Sequence, residues 1–146
     1  MKIKFLFLFI LFSLGNSAQN QKKITWQDLS KVKFVEKYFP KYDQSFLYPT
    51  FLSPVKALEG KTVTITGYFL DIDPGGAIFI LSKGPMSSCF FCGVGGPETA
   101  IELEFISKPT FKTDDIITVT GILKLNSENV EHFNYILTKC TGELVK

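Results

Sequence analysis

Two cysteines three residues apart, in the run Cys89-Phe90-Phe91-Cys92-Gly93, are the part of this 146-residue chain whose residue types and spacing point most directly at chemistry. Around a tight turn, thiols at i and i+3 converge on one centre. A glycine just after the second tolerates positive φ, so backbone N–H groups can turn toward the thiolates. That is half of a zinc knuckle. A closed structural zinc site takes four ligands, and the chain offers one further cysteine, Cys140, and a single histidine, His132. On one straight strand those two stand about 26 Å apart at roughly 3.3 Å per residue. Both cannot complete one site unless the chain bends between them. Cys140 is therefore the candidate third ligand, with water or Glu98 completing the set. Its other reading is a buried, apolar-like thiol, and that of His132 is a surface or half-buried residue near a strand start.

Two further chemistries fit the same pair. In an oxidising compartment Cys89 and Cys92 can close into a structural disulfide. Thiol–disulfide exchange needs a lowered thiol pKa, commonly supplied by a helix N-terminus beside the first cysteine. Here Gly93, Gly95, Gly96 and Pro97 follow, and they do not start a long helix. Covalent haem attachment needs histidine where Gly93 stands. Metal ligation, disulfide and redox exchange thus stay open, with Gly93, Gly96, Pro97 and Glu98 shaping the loop in each.

Other constellations are weaker. Asp71 and Asp73 beside Pro74-Gly75-Gly76 read as a hairpin turn, because the later acidic ligands of a calcium loop are missing. Asp114-Asp115 reads as a solvated turn. No Gly-x-Ser-x-Gly elbow, phosphate loop or nucleotide fingerprint is present. No catalytic residue is assigned.

The first eighteen residues read as a signal peptide. Lys2 and Lys4 precede an apolar run over residues 5–14, and Ser17 and Ala18 are small enough for a peptidase pocket, so cleavage is expected after Ala18. Ten residues rise only about 15 Å as a helix, half of a roughly 30 Å hydrocarbon core. Removing residues 1–18 takes two of the 16 lysines and none of the 14 acidic residues, leaving 14 against 14. There is no arginine. A formally neutral chain without a guanidinium fork is a poor nucleic-acid binder. The expected location is the periplasm or outside the cell, with no membrane span in the mature chain.

The elements that must position the cysteines are mostly strands. Val63, Ile65 and Phe69 fall on one face of an alternating run, and its threonines on the other. Residues 77–81 return as a second strand. Ile101, Leu103 and Phe105 face inward on a third, with Glu102 and Glu104 outward. Ile117, Val119, Leu123 and Leu125 mark a fourth, and residues 133–139 a fifth. Val63-Thr64-Ile65-Thr66-Gly67 is echoed by Ile117-Thr118-Val119-Thr120-Gly121. Glycine in mid-strand lets a strand coil sharply, as small barrels require. The expected fold is mainly all-β, a small five-stranded OB-like barrel over residues 61–146, with a β-sandwich as the alternative. Residues 19–60 form an N-terminal arm packing on it. Within that arm a helical turn capped by Thr25 precedes a short strand over 32–35, and the aromatic, proline-bearing stretch 38–54 shows no clean period and reads as irregular. Residues 127–131 are expected to form a helical turn.

The order Trp26…Leu29, Leu58-Glu59-Gly60-Lys61-Thr62-Val63…Gly67-Tyr68, Cys89-Phe90-Phe91-Cys92-Gly93 with Gly96-Pro97-Glu98, Val119-Thr120-Gly121 and Tyr135-Ile136-Leu137 resembles a family of exported bacterial proteins of unknown function. The resemblance spans roughly residues 25–139, and its most specific part is the Cys-x-x-Cys-Gly segment followed by Gly-Pro-Glu. It implies an envelope location and, for some members, a place beside transition-metal uptake systems. The expected function is thus an exported binding or accessory module whose Cys89/Cys92 loop holds zinc or another transition metal. Its partner would be an envelope protein or a metal-uptake component. The alternatives are a non-catalytic protein-interaction domain with a structural Cys89–Cys92 disulfide and a thiol–disulfide redox protein.

Overall fold

In this computed structural model, which describes residues 21–73, 75 and 78–146, the chain starts with a two-residue strand, β1 (Lys22–Lys23), and one helical turn, α1 (Trp26–Leu29). The turn begins where expected because Thr25 and Asp28 form a capping box. Asp28 N–H donates to Thr25 Oγ1 at 3.3 Å, and Thr25 N–H to Asp28 Oδ2 at 2.8 Å. Two otherwise orphaned donors are satisfied, and the hydrogen bonds from Thr25 hold the Asp28 carboxyl below its ordinary value. The signal peptide and its cleavage point lie outside the described residues.

The arm differs from the expectation. Instead of an irregular stretch, β2 (Val32–Phe39) and β3 (Gln44–Phe51) form an antiparallel hairpin in unbroken register, from Val32↔Phe51 to Phe39↔Gln44. The alternation is hidden because both faces of the hairpin carry aromatic rings, so polarity does not alternate with the pleat. Pro40 sits in the turn, and Pro49 lies within a strand that has no second partner among the described residues and can spare an N–H. A short helix, α2 (Ser53–Lys56), then leads into the barrel.

Five strands close that barrel: β4 (Thr62–Asp71), β5 (Phe79–Ser82), β6 (Ala100–Phe105), β7 (Ile116–Leu125) and β8 (Tyr135–Leu144). The order round it is β4-β5-β6-β8-β7 and back to β4, with β6 and β8 parallel and the other barrel pairs antiparallel. This is the small OB-like barrel expected from the sequence. Residues 127–131 depart from expectation: they make bends and a turn, not a helical turn. There Asn126 satisfies the backbone, its Nδ2 donating to the carbonyls of Asn129, His132 and Phe133 and its Oδ1 accepting from Asn129 N–H.

The sequence echo has a structural cause, for its two halves pair with each other. Thr64 lies opposite Thr120 and Thr66 opposite Thr118, with hydroxyls 2.9 and 2.8 Å apart. Inside, Val63, Ile65, Phe69, Leu81, Ile101, Ile117, Val119 and Leu123 are buried in one cluster. The glycines of the echo answer to close approach. A Cβ on Gly67 would stand 2.6 Å from the Ser82 carbonyl oxygen and 2.9 Å from the Trp26 ring, and one on Gly121 would stand 3.0 Å from Cys140 Sγ. Trp26 and Tyr135 tie the arm to the barrel, Trp26 Nε1 donating to Thr66 O at 2.9 Å and the buried Tyr135 hydroxyl to Leu29 O at 2.7 Å. No helix among the described residues is long and apolar enough to cross a membrane.

The Cys89/Cys92 loop as candidate functional site

The connection from β5 to β6, residues 83–99, is folded into three short 3₁₀ turns: Met86–Ser88, Phe90–Cys92 and Pro97–Thr99. Its first turn is pinned to the connection before β7, where Met86 N–H donates to Asp114 Oδ1 at 2.7 Å. Its last is closed by Thr99, whose N–H and hydroxyl both donate to Gly96 O, at 3.0 and 2.7 Å. Pro97 occupies the first turn of that short helix, where its missing N–H costs nothing. Glu98 lies near Tyr135, not at the cysteines, and after burial itself it is the second cause that raises the Tyr135 phenol above its ordinary value.

Between those ends the cysteine pair is held by its own backbone. Cys89 is extended, and the Phe90–Cys92 turn starts from it. Cys92 N–H donates to Cys89 O at 3.0 Å, Gly93 N–H to Phe90 O at 3.0 Å and Val94 N–H to Cys89 O at 3.3 Å. Gly93 has φ +76°, the left-handed conformation expected for it. The consequence differs from a knuckle, however. These three amides are spent on carbonyls, and positive φ at Gly93 ends the turn without aiming its N–H at sulfur.

The two thiols are brought together but in unlike surroundings. Cys89 is buried against Leu70, Ile80 and Ala100, with Met86, Phe90 and Phe133 packed around them. These residues lie on the outer face of β4, β5 and β6, opposite the barrel interior. Cys92 is exposed, and its Sγ donates to Met86 O at 3.1 Å. Removal of its sulfur from water and then the hydrogen bond and charge of the neighbouring Cys89 thiol hold the Cys92 thiol above its ordinary value.

Cys140 is not brought to the pair. It sits in the interior cluster, under Gly121, with its Sγ donating to Leu137 O at 3.0 Å. Burial pushes this thiol up to about 12. Lys139, with φ +52°, breaks the alternation of β8 so that both Leu137 and Cys140 face inward. Among the described residues no group of three or more His, Cys, Asp or Glu side chains is arranged to hold a metal.

Sequence reasoning missed a second polar feature beside the loop. Glu102 points out of the barrel as expected, yet it is buried, because residues 126–134 lie over it. Its Oε1 is 2.8 Å from His132 Nδ1, and its Oε2 accepts from Phe133 N–H at 3.1 Å. Phe133 then meets Phe91 edge-on, with ring centroids 5.8 Å apart. Glu102, His132 and Phe133 thus join the connection before β8 to the cysteine loop. The hint in the sequence was the density of asparagines at 126, 129 and 134, which build a loop rigid enough to bury a carboxyl.

The loop also forms one wall of a groove of about 310 Å³, with Phe90 and Pro97 facing Phe39, Phe46 and Leu47 of the hairpin, and Phe133 between. No charged side chain lines it. Compared with known proteins, the chain matches no family model and no curated protein.

Proposed function

We propose that the protein is an exported, non-catalytic binding module in which Cys89 and Cys92 close as a structural disulfide, fixing the loop 83–99 on the outer face of the barrel. The observation that carries this reading is the use of the loop's amides. A metal-thiolate knuckle gains from several N–H groups directed at sulfur, whereas here the amides of Cys92, Gly93 and Val94 donate to Cys89 O and Phe90 O, and the Cys89 backbone hydrogen bond that lowers the Cys92 thiol is outweighed by the causes that raise it. A disulfide needs no such donors. Closure forms one S–S bond and releases two protons and two electrons, which the disulfide-donating oxidant of an exporting compartment takes up. The sequence features of residues 1–18 support that compartment, and the aromatic groove beside the loop supports a binding role toward an envelope partner.

One observation favours the metal reading as the second choice. The exposed Cys92 lies in contact with Cys89, so this pair can offer two sulfur ligands to a soft ion whose remaining ligands come from solvent or from a metal-uptake partner. Cys140 takes no part in that version, since it faces the barrel interior.

The test is the protein exported into a periplasm and purified without chelator, with thiols counted in denaturant and metals measured by mass spectrometry. The expected result is one free thiol, Cys140, of the three cysteines, and no stoichiometric metal. Three free thiols overturn the disulfide, and about one equivalent of zinc with them establishes the metal site in its place.

A further inference from the structure

We infer that the Cys89/Cys92 pair exchanges with outside thiols through Cys92 alone, while Cys89 is the buried sulfur that leaves when the bridge opens and attacks when it closes. This rests on the disulfide reading above and adds to it which of the two sulfurs an incoming thiol meets.

The surroundings of the two sulfurs set the order. Cys89 is 2% exposed and is packed by Leu70 of β4, Ile80 of β5 and Ala100 of β6, with Met86, Phe90 and Phe133 around them. Cys92 lies in a run, residues 91–95, that is exposed throughout. The space beside it is open, since a Cβ built on Gly93 would meet nothing within 4 Å. Thiol–disulfide exchange is a displacement at sulfur, and its rate depends on which sulfur the incoming thiolate can reach. To attack Cys89, a thiolate must displace apolar side chains of three strands. To attack Cys92, it approaches from solvent.

This order is the reverse of the one in which a helix N-terminus activates the first cysteine. Cys89 does precede a helical turn, but that turn is the single 3₁₀ turn Phe90–Cys92, and burial keeps the Cys89 sulfur from an outside thiol. The loop therefore presents the second cysteine and holds the first in reserve.

The departing sulfur has polar neighbours. Cys89 borders a pocket of about 260 Å³ that is also lined by Ser82, Lys83, Ser88 and Thr99. With so little of Cys89 open, the pocket is no route for an attacking thiolate. Its hydroxyls and ammonium group instead offer hydrogen bonds to the thiolate that forms on Cys89 as the bridge opens.

The steps balance with a monothiol as the outside reductant. Its thiolate attacks Cys92 Sγ, a mixed disulfide forms there, and the Cys89–Cys92 bond breaks with its electron pair on Cys89 Sγ, which takes up a proton. A second monothiol then attacks the outer sulfur of the mixed disulfide, freeing Cys92 as a thiol. The bridge is reduced by two electrons, and the two monothiols leave as one disulfide. Closure runs the same steps backward, with an outside disulfide as oxidant and Cys89 attacking the mixed disulfide on Cys92.

The experiment uses Cys89→Ala and Cys92→Ala, each leaving one cysteine of the pair. Each variant is mixed with glutathione disulfide under native conditions and in denaturant, and the adduct is followed and located by fragmentation in a mass spectrometer. In Cys89→Ala, Cys92 is expected to react within about tenfold of its rate in denaturant; in Cys92→Ala, Cys89 is expected to react at least about 100-fold more slowly than in denaturant, because a buried thiol reacts only through local opening. Equal native-to-denatured ratios at the two positions overturn the inference, and so do a higher ratio at Cys89 or protection of both. If Cys89→Ala does not fold, the reduced, unaltered protein treated with less than one equivalent of iodoacetamide decides. Label on Cys92 is expected, and label on Cys89 or shared evenly between the two overturns the order. Three free thiols in the exported protein defeat the disulfide reading alone, while one free thiol together with equal ratios defeats only this inference.

Discussion

Glu102→Ala is the substitution that best tests how the connection before β8 is held to the cysteine loop. The buried carboxyl accepts two hydrogen bonds, from Phe133 N–H at 3.1 Å and at His132 Nδ1 at 2.8 Å. They differ in weight. The His132 side chain is 46% exposed, and a side-chain contact that open to water contributes about 0–1 kcal/mol. A backbone N–H bound to a carboxylate contributes about 1.5–3 kcal/mol. Glu102→Ala is therefore expected to cost about 2–3 kcal/mol, and His132→Ala no more than about 1 kcal/mol. Glu102→Gln, which keeps an oxygen for Phe133 N–H, falls between them. Urea unfolding at neutral pH measures all three, and hydrogen exchange at the Phe133 amide reports the local opening. Phe133 also packs on the cluster that buries Cys89 and touches Phe91, so faster exchange there should extend to the Phe90–Cys92 turn. A cost for His132→Ala equal to that of Glu102→Ala, or a Glu102→Ala cost below about 0.5 kcal/mol, refutes the assignment of the larger share to the backbone bond.

Two further expectations concern the barrel. Gly67→Ala places a methyl 2.6 Å from the Ser82 carbonyl oxygen and 2.9 Å from the Trp26 ring; it should destabilise by about 1–3 kcal/mol in thermal or urea unfolding, and an unchanged midpoint contradicts the close approach. Stability should also fall at alkaline pH through Cys140, whose folded value near 12 lies above the ordinary 9.0. A thiol raised on folding contributes fully below the unfolded value, and the contribution is lost as pH rises from about 9 toward 12, by up to about 4 kcal/mol. Urea midpoints at pH 8 and pH 10.5 should therefore converge in Cys140→Ala relative to the parent, while equal pH slopes in the two proteins remove Cys140 as the cause.

The barrel was legible because its signal is local and repeated. Alternation in Thr62–Asp71 and Ile116–Leu125 assigns each side chain to a face, and the shared Val-Thr/Ile-Thr pattern is the imprint of two strands that pair in register. The hairpin was not legible for the opposite reason. Phe34, Tyr38, Phe46, Tyr48 and Phe51 are spread over both of its faces, so hydropathy is flat along strands whose backbone is fully regular. Proline 49 deepened the misreading, since it argues against a central strand but not against one with a free edge.

For the site, spacing found what lies within one turn and nothing beyond it. Three-residue separation brings Cys89 and Cys92 together once the chain makes a tight turn between them, as it does over Phe90–Cys92, and positive φ at Gly93 follows from the same local geometry. The partners of Cys140 and Glu102 are set by tertiary placement instead. Strand alternation alone does not settle whether residue 140 faces inward, because that depends on the left-handed backbone of Lys139, a residue type that gives no warning of it. Likewise Glu102 is outward on a strand and buried all the same, since the covering segment arrives from residues 126–134. A two-residue motif therefore specifies where sulfur chemistry can happen, while the choice among ligand, bridge and nucleophile is made by the hydrogen bonds around it. In this loop the amides of Cys92, Gly93 and Val94 run to carbonyls, and the Cys92 sulfur is held by Met86 O and by Cys89.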